Sequence, residues 1–132
     1  MKTIKLTVWA MLLLLAVSLG AHHSYGALYD LRQTVILKGK VAKVAFKEPH
    51  VILSIETKGS GVWDAEWTSM MGLLRRGIDA NTIRVGDILE IEGSPARNPD
   101  SRVVSALRDI KRPADGWNWK TEDVWPGPRV IE

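Results

Sequence analysis

From Thr34 to Phe46 the chain is rich in β-branched residues. Val35, Leu37, Gly39 and Val41 share one face of an extended segment, after which the apolar phase slips to Val44 and Phe46. A long strand with an internal glycine and a change of phase is expected to bulge or coil sharply. Glu48-Pro49 ends it. Val51, Leu53 and Ile55 then alternate with Ile52, Ser54 and Glu56, which predicts a second strand closing at the Gly59-Ser60-Gly61 turn. Trp63, Ala65 and Trp67 alternate with Asp64 and Glu66 as a third, with the two acids expected in water.

The period then changes. Ser69 can cap a short helix carrying Met70, Met71, Leu73 and Leu74, with Arg75 and Arg76 in its last turn and Gly77 just beyond. After the Val85-Gly86-Asp87 turn, Leu89 and Ile91 alternate with Glu90 and Glu92 as a fourth strand. Asn98-Pro99-Asp100 leads into a fifth over roughly residues 102–110. Three strands, a short helix and two strands form the order of an all-β, OB-like five-stranded antiparallel barrel, whose long first strand serves both halves. A small β-sandwich is the alternative. The expected core is Val35, Leu37, Val41, Leu53, Ile55, Leu73, Leu89, Ile91 and Val104.

The two ends have a different character. Lys2 and Lys5 precede an almost wholly apolar stretch from Leu6 to Leu19, and Gly20-Ala21 supplies the small residues of a cleavage site. At roughly 14 residues the stretch is short against the ~20 that a membrane span needs. It is expected to be a removable export signal, cut after Ala21, which leaves no membrane anchor. At the other end Pro113, Pro126 and Pro128 interrupt a segment holding Trp117, Trp119 and Trp125, with no evident period. The expected organisation is a signal at 1–21, an arm at 22–33, a barrel at 34–112 and a Trp/Pro-containing tail at 113–132. The tail's tryptophans are expected to pack on the barrel or to anchor a partner protein.

Composition narrows the chemistry. The formal net charge of +3 includes Lys2 and Lys5, so the exported chain is nearly neutral and nucleic acid is not an expected partner. The chain has no cysteine, which excludes disulfides, thiol catalysis and thiolate metal sites. Nucleotide-binding glycine motifs, G-x-S-x-G and H-E-x-x-H are all missing, and no catalytic constellation is evident, so a binding protein is expected rather than an enzyme.

The three histidines are the remaining candidates. Cleavage after Ala21 makes His22 the first residue, able to offer a metal both its free amine and its imidazole. His23 follows it, and His50 lies in the loop before the second strand, beside the usual ligand face of such a barrel. Neutral nitrogen donors in a flat arrangement favour Cu(II). Cleavage one residue earlier would begin the chain Ala21-His22-His23 and allow a square-planar site that includes two backbone amides. The rival reading is two histidines in an exposed arm and one ordinary loop histidine. A binding module without a metal, using Trp63, Trp67 and the barrel face for a small molecule or a partner, is the alternative function.

The segments AHHSYGALYD, V-x-L-x-G-x-V, EPHV and VGDILEIEG together resemble a family of exported bacterial proteins known as domain of unknown function 6152. The matching positions are His22, His23, Ser24, Tyr29, Asp30, Pro49, His50, Gly86 and Asp87. The resemblance implies export and a small β-barrel over roughly residues 20–112, and no particular activity. The chain departs from the family at Glu48, where asparagine is usual, and at Val85, where proline is common. Glu48 places a carboxylate two residues before His50, where it is expected to orient the ring or to raise its pKa.

Export has a direct check. Intact-mass measurement on protein recovered from the periplasm or medium is expected to give the chain starting at His22, with Ala21 as a minor start. An uncut chain in the membrane fraction would contradict this reading.

Overall fold

The computed structural model describes residues 25–122; the signal segment, His22, His23 and Trp125 lie outside the described residues. A single helical turn, α1 (Tyr25–Leu28), leads to β1 (Val35–Ala45), β2 (Ile52–Thr57), β3 (Gly61–Glu66), the short helix α2 (Met70–Arg75), β4 (Ile88–Pro95), β5 (Val103–Arg112) and β6 (Trp117–Lys120). No described helix is long and apolar enough to cross a membrane.

β1 accounts for both anomalies in its sequence. Its first half pairs antiparallel with β4, from Val35↔Gly93 to Lys40↔Ile88, and its second half with β2, from Gly39↔Thr57 to Ala45↔Ile52. Gly39 and Lys40 belong to both ladders. A Cβ on Gly39 would collide with the Glu56 carbonyl oxygen and with Ile55 Cγ2, so the crossing requires glycine. The phase slip after Val41 is a register shift between Val41 and Lys43, which turns Val44 back toward the core.

The sheet closes on itself. Asp64 and Ala65 of β3 pair with Val103 and Val104 of β5, and the Asp64 N–H donates to the Arg102 carbonyl at 2.9 Å. The circuit β1-β2-β3-β5-β4 is a closed five-stranded barrel, which excludes the sandwich. The closing pair is parallel, so the barrel is antiparallel only in its other four pairings. Chain direction forces this, because β3 and β5 are antiparallel to β2 and β4, which both run antiparallel to β1 and are therefore parallel to each other.

Leu37, Val41, Leu53, Ile55, Leu73, Leu89, Ile91 and Val104 are all buried, whereas Val35, at the open end of β1, is only partly covered. Ser69 caps α2 by accepting from the Gly72 N–H, and Gly77 follows at φ +73. The arm after α1 is pinned to the end of β4. Asp30 N–H donates to Pro95 O at 3.0 Å, Arg97 N–H to Leu28 O at 2.9 Å and Arg97 Nε to Gly26 O at 2.7 Å.

The boundary expected at residue 112 has to be moved. β5 turns at Asp115-Gly116 and returns as β6, pairing Asp109↔Lys120 through Arg112↔Trp117. Gly116 takes φ +74, and Asp115 accepts from Arg112 Nε and from the Trp117 N–H. Trp119 is buried edge-on against Trp67, with ring centroids 5.2 Å apart. Trp117 lies partly buried under the Arg112 guanidinium. These two tryptophans therefore serve the fold and not a free docking tail; Trp125 lies outside the described residues.

In denaturant unfolding, Ile91→Ala is expected to cost about 2–5 kcal/mol and Trp119→Ala about 3–5 kcal/mol. A loss below about 1 kcal/mol for Trp119→Ala would show that β6 is no part of the core.

Candidate functional site

Irregularity in β5 opens the site. Between the pairs Glu92↔Asp109 and Ser94↔Ser105, Gly93 of β4 faces three residues of β5, Ala106 to Arg108. Ala106 takes the left-handed conformation at φ +48, which is uncommon for a residue with a Cβ. Gly93 has no room for a Cβ, which would lie 2.7 Å from Val104 Cγ1. The bulged residues, Ala106, Leu107 and Arg108, all line a cavity of about 490 Å³. Its other walls include Tyr25 and Leu31 from the arm, His50, Trp67, Arg76 beyond α2, and Trp119 from β6. A bulge that re-aims side chains beside a cavity is a recurring feature of binding sites.

His50 reaches this cavity because the β2–β3 ladder runs on past the ends of its strands. Val51 N–H donates to Thr68 O at 3.0 Å and Trp67 N–H to Val51 O at 2.8 Å, beyond the Ile52↔Glu66 pair. His50 and Glu66 are thereby diagonal neighbours on one face. His50 Nδ1 is hydrogen-bonded to Glu66 Oε1, and the Tyr29 hydroxyl donates to Glu66 Oε2 at 2.6 Å. Both carboxylate oxygens of a side chain that is only 22% exposed are thus engaged. Ser105 Oγ, wholly buried on β5, donates to the Glu66 backbone carbonyl at 3.3 Å and lies 2.7 Å from the Tyr25 hydroxyl.

These contacts settle protonation. Burial first, then the Glu66 carboxylate, pushes the Tyr29 phenol far above its ordinary value. Burial also raises Tyr25, with the Ser105 hydrogen bond pulling the other way and the Glu66 charge adding to the rise. Both phenols therefore keep their protons at neutral pH. An ionised carboxylate can only accept, so Glu66 holds the proton of a neutral His50 ring on Nδ1 and leaves Nε2 as a lone-pair donor.

The residues expected from sequence are distributed unevenly. Trp67 and His50 line the cavity, whereas Trp63 packs partly against the core and does not. Glu48 does not orient His50: it is exposed, and its Oε1 accepts from the Met71 N–H at 2.9 Å, where an acid complements the first turn of α2. Glu66, expected in water, takes the orienting role, because the arm carrying Tyr29 covers the end of β3. His22 and His23 lie outside the described residues. Among the described residues no group of three or more histidines and carboxylates converges to hold a metal ion. Arg108 and Trp119 carry no motif, and only the Asp115-Gly116 hairpin signal pointed toward the second of them.

The chain belongs to a family of unknown function, DUF6152, whose model matches residues 10–105. No curated protein matches it. The matched span includes the histidine pair, Tyr29, His50, Glu66 and Ser105, and ends before Arg108 and Trp119.

Nitrogen NMR of the metal-stripped protein, above the range in which imidazoles titrate, is expected to show His50 protonated on Nδ1. Glu66→Ala is expected to shift it toward the Nε2-protonated form. A wild-type ring protonated on Nε2 would refute the assignment.

Proposed function

We propose that the exported protein, cut after Ala21, binds a metal ion, copper first, through the amine and imidazole of His22, with His23 or His50 adding a further nitrogen. The observation that carries this reading is the Tyr29–Glu66–His50 chain. A carboxylate that holds one ring nitrogen, and is itself held, is the usual support behind a metal-binding histidine. Tyr25 lines the same cavity as His50, and two peptide units span at most about 7 Å. The closeness of His23 to Tyr25 in the chain supports a nitrogen from His23 at this cavity. Binding rather than catalysis is part of the proposal, since the buried serine hydroxyl of Ser105 bonds to Tyr25 and to the Glu66 backbone rather than to His50.

Cu(II) titration of the correctly processed protein tests this. Affinity is expected to exceed that of the isolated His-His-Ser-Tyr peptide by at least tenfold, on the order of 1.4 kcal/mol. It should fall as pH drops through about 6.5, because protons compete for imidazole lone pairs. One extra residue ahead of His22 is expected to weaken binding as much as His22→Ala, and His50→Ala to remove the advantage over the peptide. Equal affinity of protein and peptide would overturn the reading.

A second reading, a binding module that takes a small molecule without a metal, is favoured by the cavity itself. Its volume of about 490 Å³ falls within the ~300–1,000 Å³ usual for small-molecule sites, and its walls combine aromatic and aliphatic side chains with a few polar groups.

A further inference from the structure

Arg108 is the least satisfied charge in this site. It lies on the β5 bulge in the cavity wall, and its two hydrogen bonds go to neutral oxygens, from Nη2 to Ser94 Oγ at 2.9 Å and to Leu31 O at 3.4 Å. Its Nη1 is shielded from solvent and has no hydrogen-bond partner among the described residues. The indole N–H groups of Trp67 and Trp119, in the same wall, are also buried without acceptors. A buried donor without an acceptor is costly, more so when charged, and three such donors border this one cavity.

The other described charges do not pair with Arg108. Arg76 donates to Lys120 O at 2.8 Å, lies over the Trp119 ring at 5.1 Å and has Glu122 3.8 Å away. His50 is tied to Glu66. With the Glu66 carboxylate behind a neutral His50 counted beside Glu122, the charges around the cavity balance, so the case for an anion rests on the unpartnered donor of Arg108 and not on net charge.

We propose that the cavity binds a small organic monocarboxylate, its carboxylate on Arg108 and its aromatic or aliphatic body against Trp67, Trp119 and Leu107. This rests on the second reading above, that the cavity takes a small molecule, and not on the metal site. A single guanidinium in a cavity whose charges balance overall matches a singly charged carboxylate better than a doubly charged phosphate. A guanidinium binds a carboxylate through paired N–H donors, which a modest rotation of the Arg108 head toward the cavity supplies.

The test uses the exported full chain, stripped of metal, and matched pairs of probes: 2-naphthoate, indole-3-acetate and octanoate, each against its primary amide, with 2-naphthyl phosphate as a further arm. Calorimetry measures affinity, and the Trp67 and Trp119 indole N–H signals report location. In at least one pair the acid is expected to bind tenfold or more tighter than the amide and to shift both indole signals. Arg108→Gln should abolish that preference and Arg108→Lys retain part of it, cooperative unfolding being checked for each. If Arg108→Gln does not fold, the wild-type acid–amide comparison and Arg108→Lys decide. Equal binding of acid and amide, or tighter binding of the phosphate than of 2-naphthoate, would overturn the ligand class and leave a small-molecule site standing. No binding by any probe would overturn both.

Discussion

The bend of β1 at Gly39 is the constraint on which the rest of this protein depends. One strand has to pair with β4 over its first half and β2 over its second, and its two ladders overlap at Gly39 and Lys40. Only a residue without a Cβ lets the Glu56 backbone approach there. Once β1 has turned, β3 and β5 are carried together from opposite ends of the sheet and join through Asp64 and Ala65. That junction sets the end of β3 against the start of β5, and therefore Glu66 beside Ser105. The rim that carries the candidate site is thus a consequence of closure rather than a separate construction.

Around that rim, polar groups fall into two sets. Tyr25, Tyr29, Ser105, Glu66 and His50 form a hydrogen-bonded chain whose donors and acceptors are matched. Such a chain fixes a ring and presents a single nitrogen. Arg108, Trp67 and Trp119 form the opposite case, with donors that no described residue satisfies. The first set suits a metal or a proton, and the second suits an acceptor brought from outside. Both border one cavity, so a ligand on Arg108 and a metal on His50 would be neighbours, and each would alter the other's affinity.

The barrel was legible in the sequence wherever a feature was local. The phase slip after Val41, the glycine at position 39 and the Ser69…Gly77 limits of the helix each follow from backbone geometry within a few residues. The sixth strand was harder to read, because Trp117-Asn118-Trp119-Lys120 is too short for alternation to be convincing and lies between prolines. The Asp115-Gly116 turn was its one clear mark. Glu66 was misjudged for a different reason. Alternation assigns it correctly to the face opposite the core, but no local pattern reveals that the arm with Tyr29 folds over that face. Glu48 is only two residues from His50 in sequence, yet the first turn of α2 has unpaired N–H groups that claim its carboxylate. Arg108 and Trp119 meet only through the β5 bulge and the β6 hairpin, both products of tertiary pairing.

Because the bend, the closure and the rim stand or fall together, contact across the β3–β5 seam is the most direct measurement. In the NMR spectrum of the exported protein, backbone proton contacts of the parallel kind are expected between Asp64 and Val103 and between Ala65 and Val104. The Asp64 amide, held by the Arg102 carbonyl, is expected to exchange with solvent as slowly as amides of the β1–β4 ladder. Intact β1–β2 and β1–β4 ladders without these contacts, and with a fast-exchanging Asp64 amide, would mean an open sheet. Glu66 and Ser105 would then share no rim, and barrel closure could not be what builds the site.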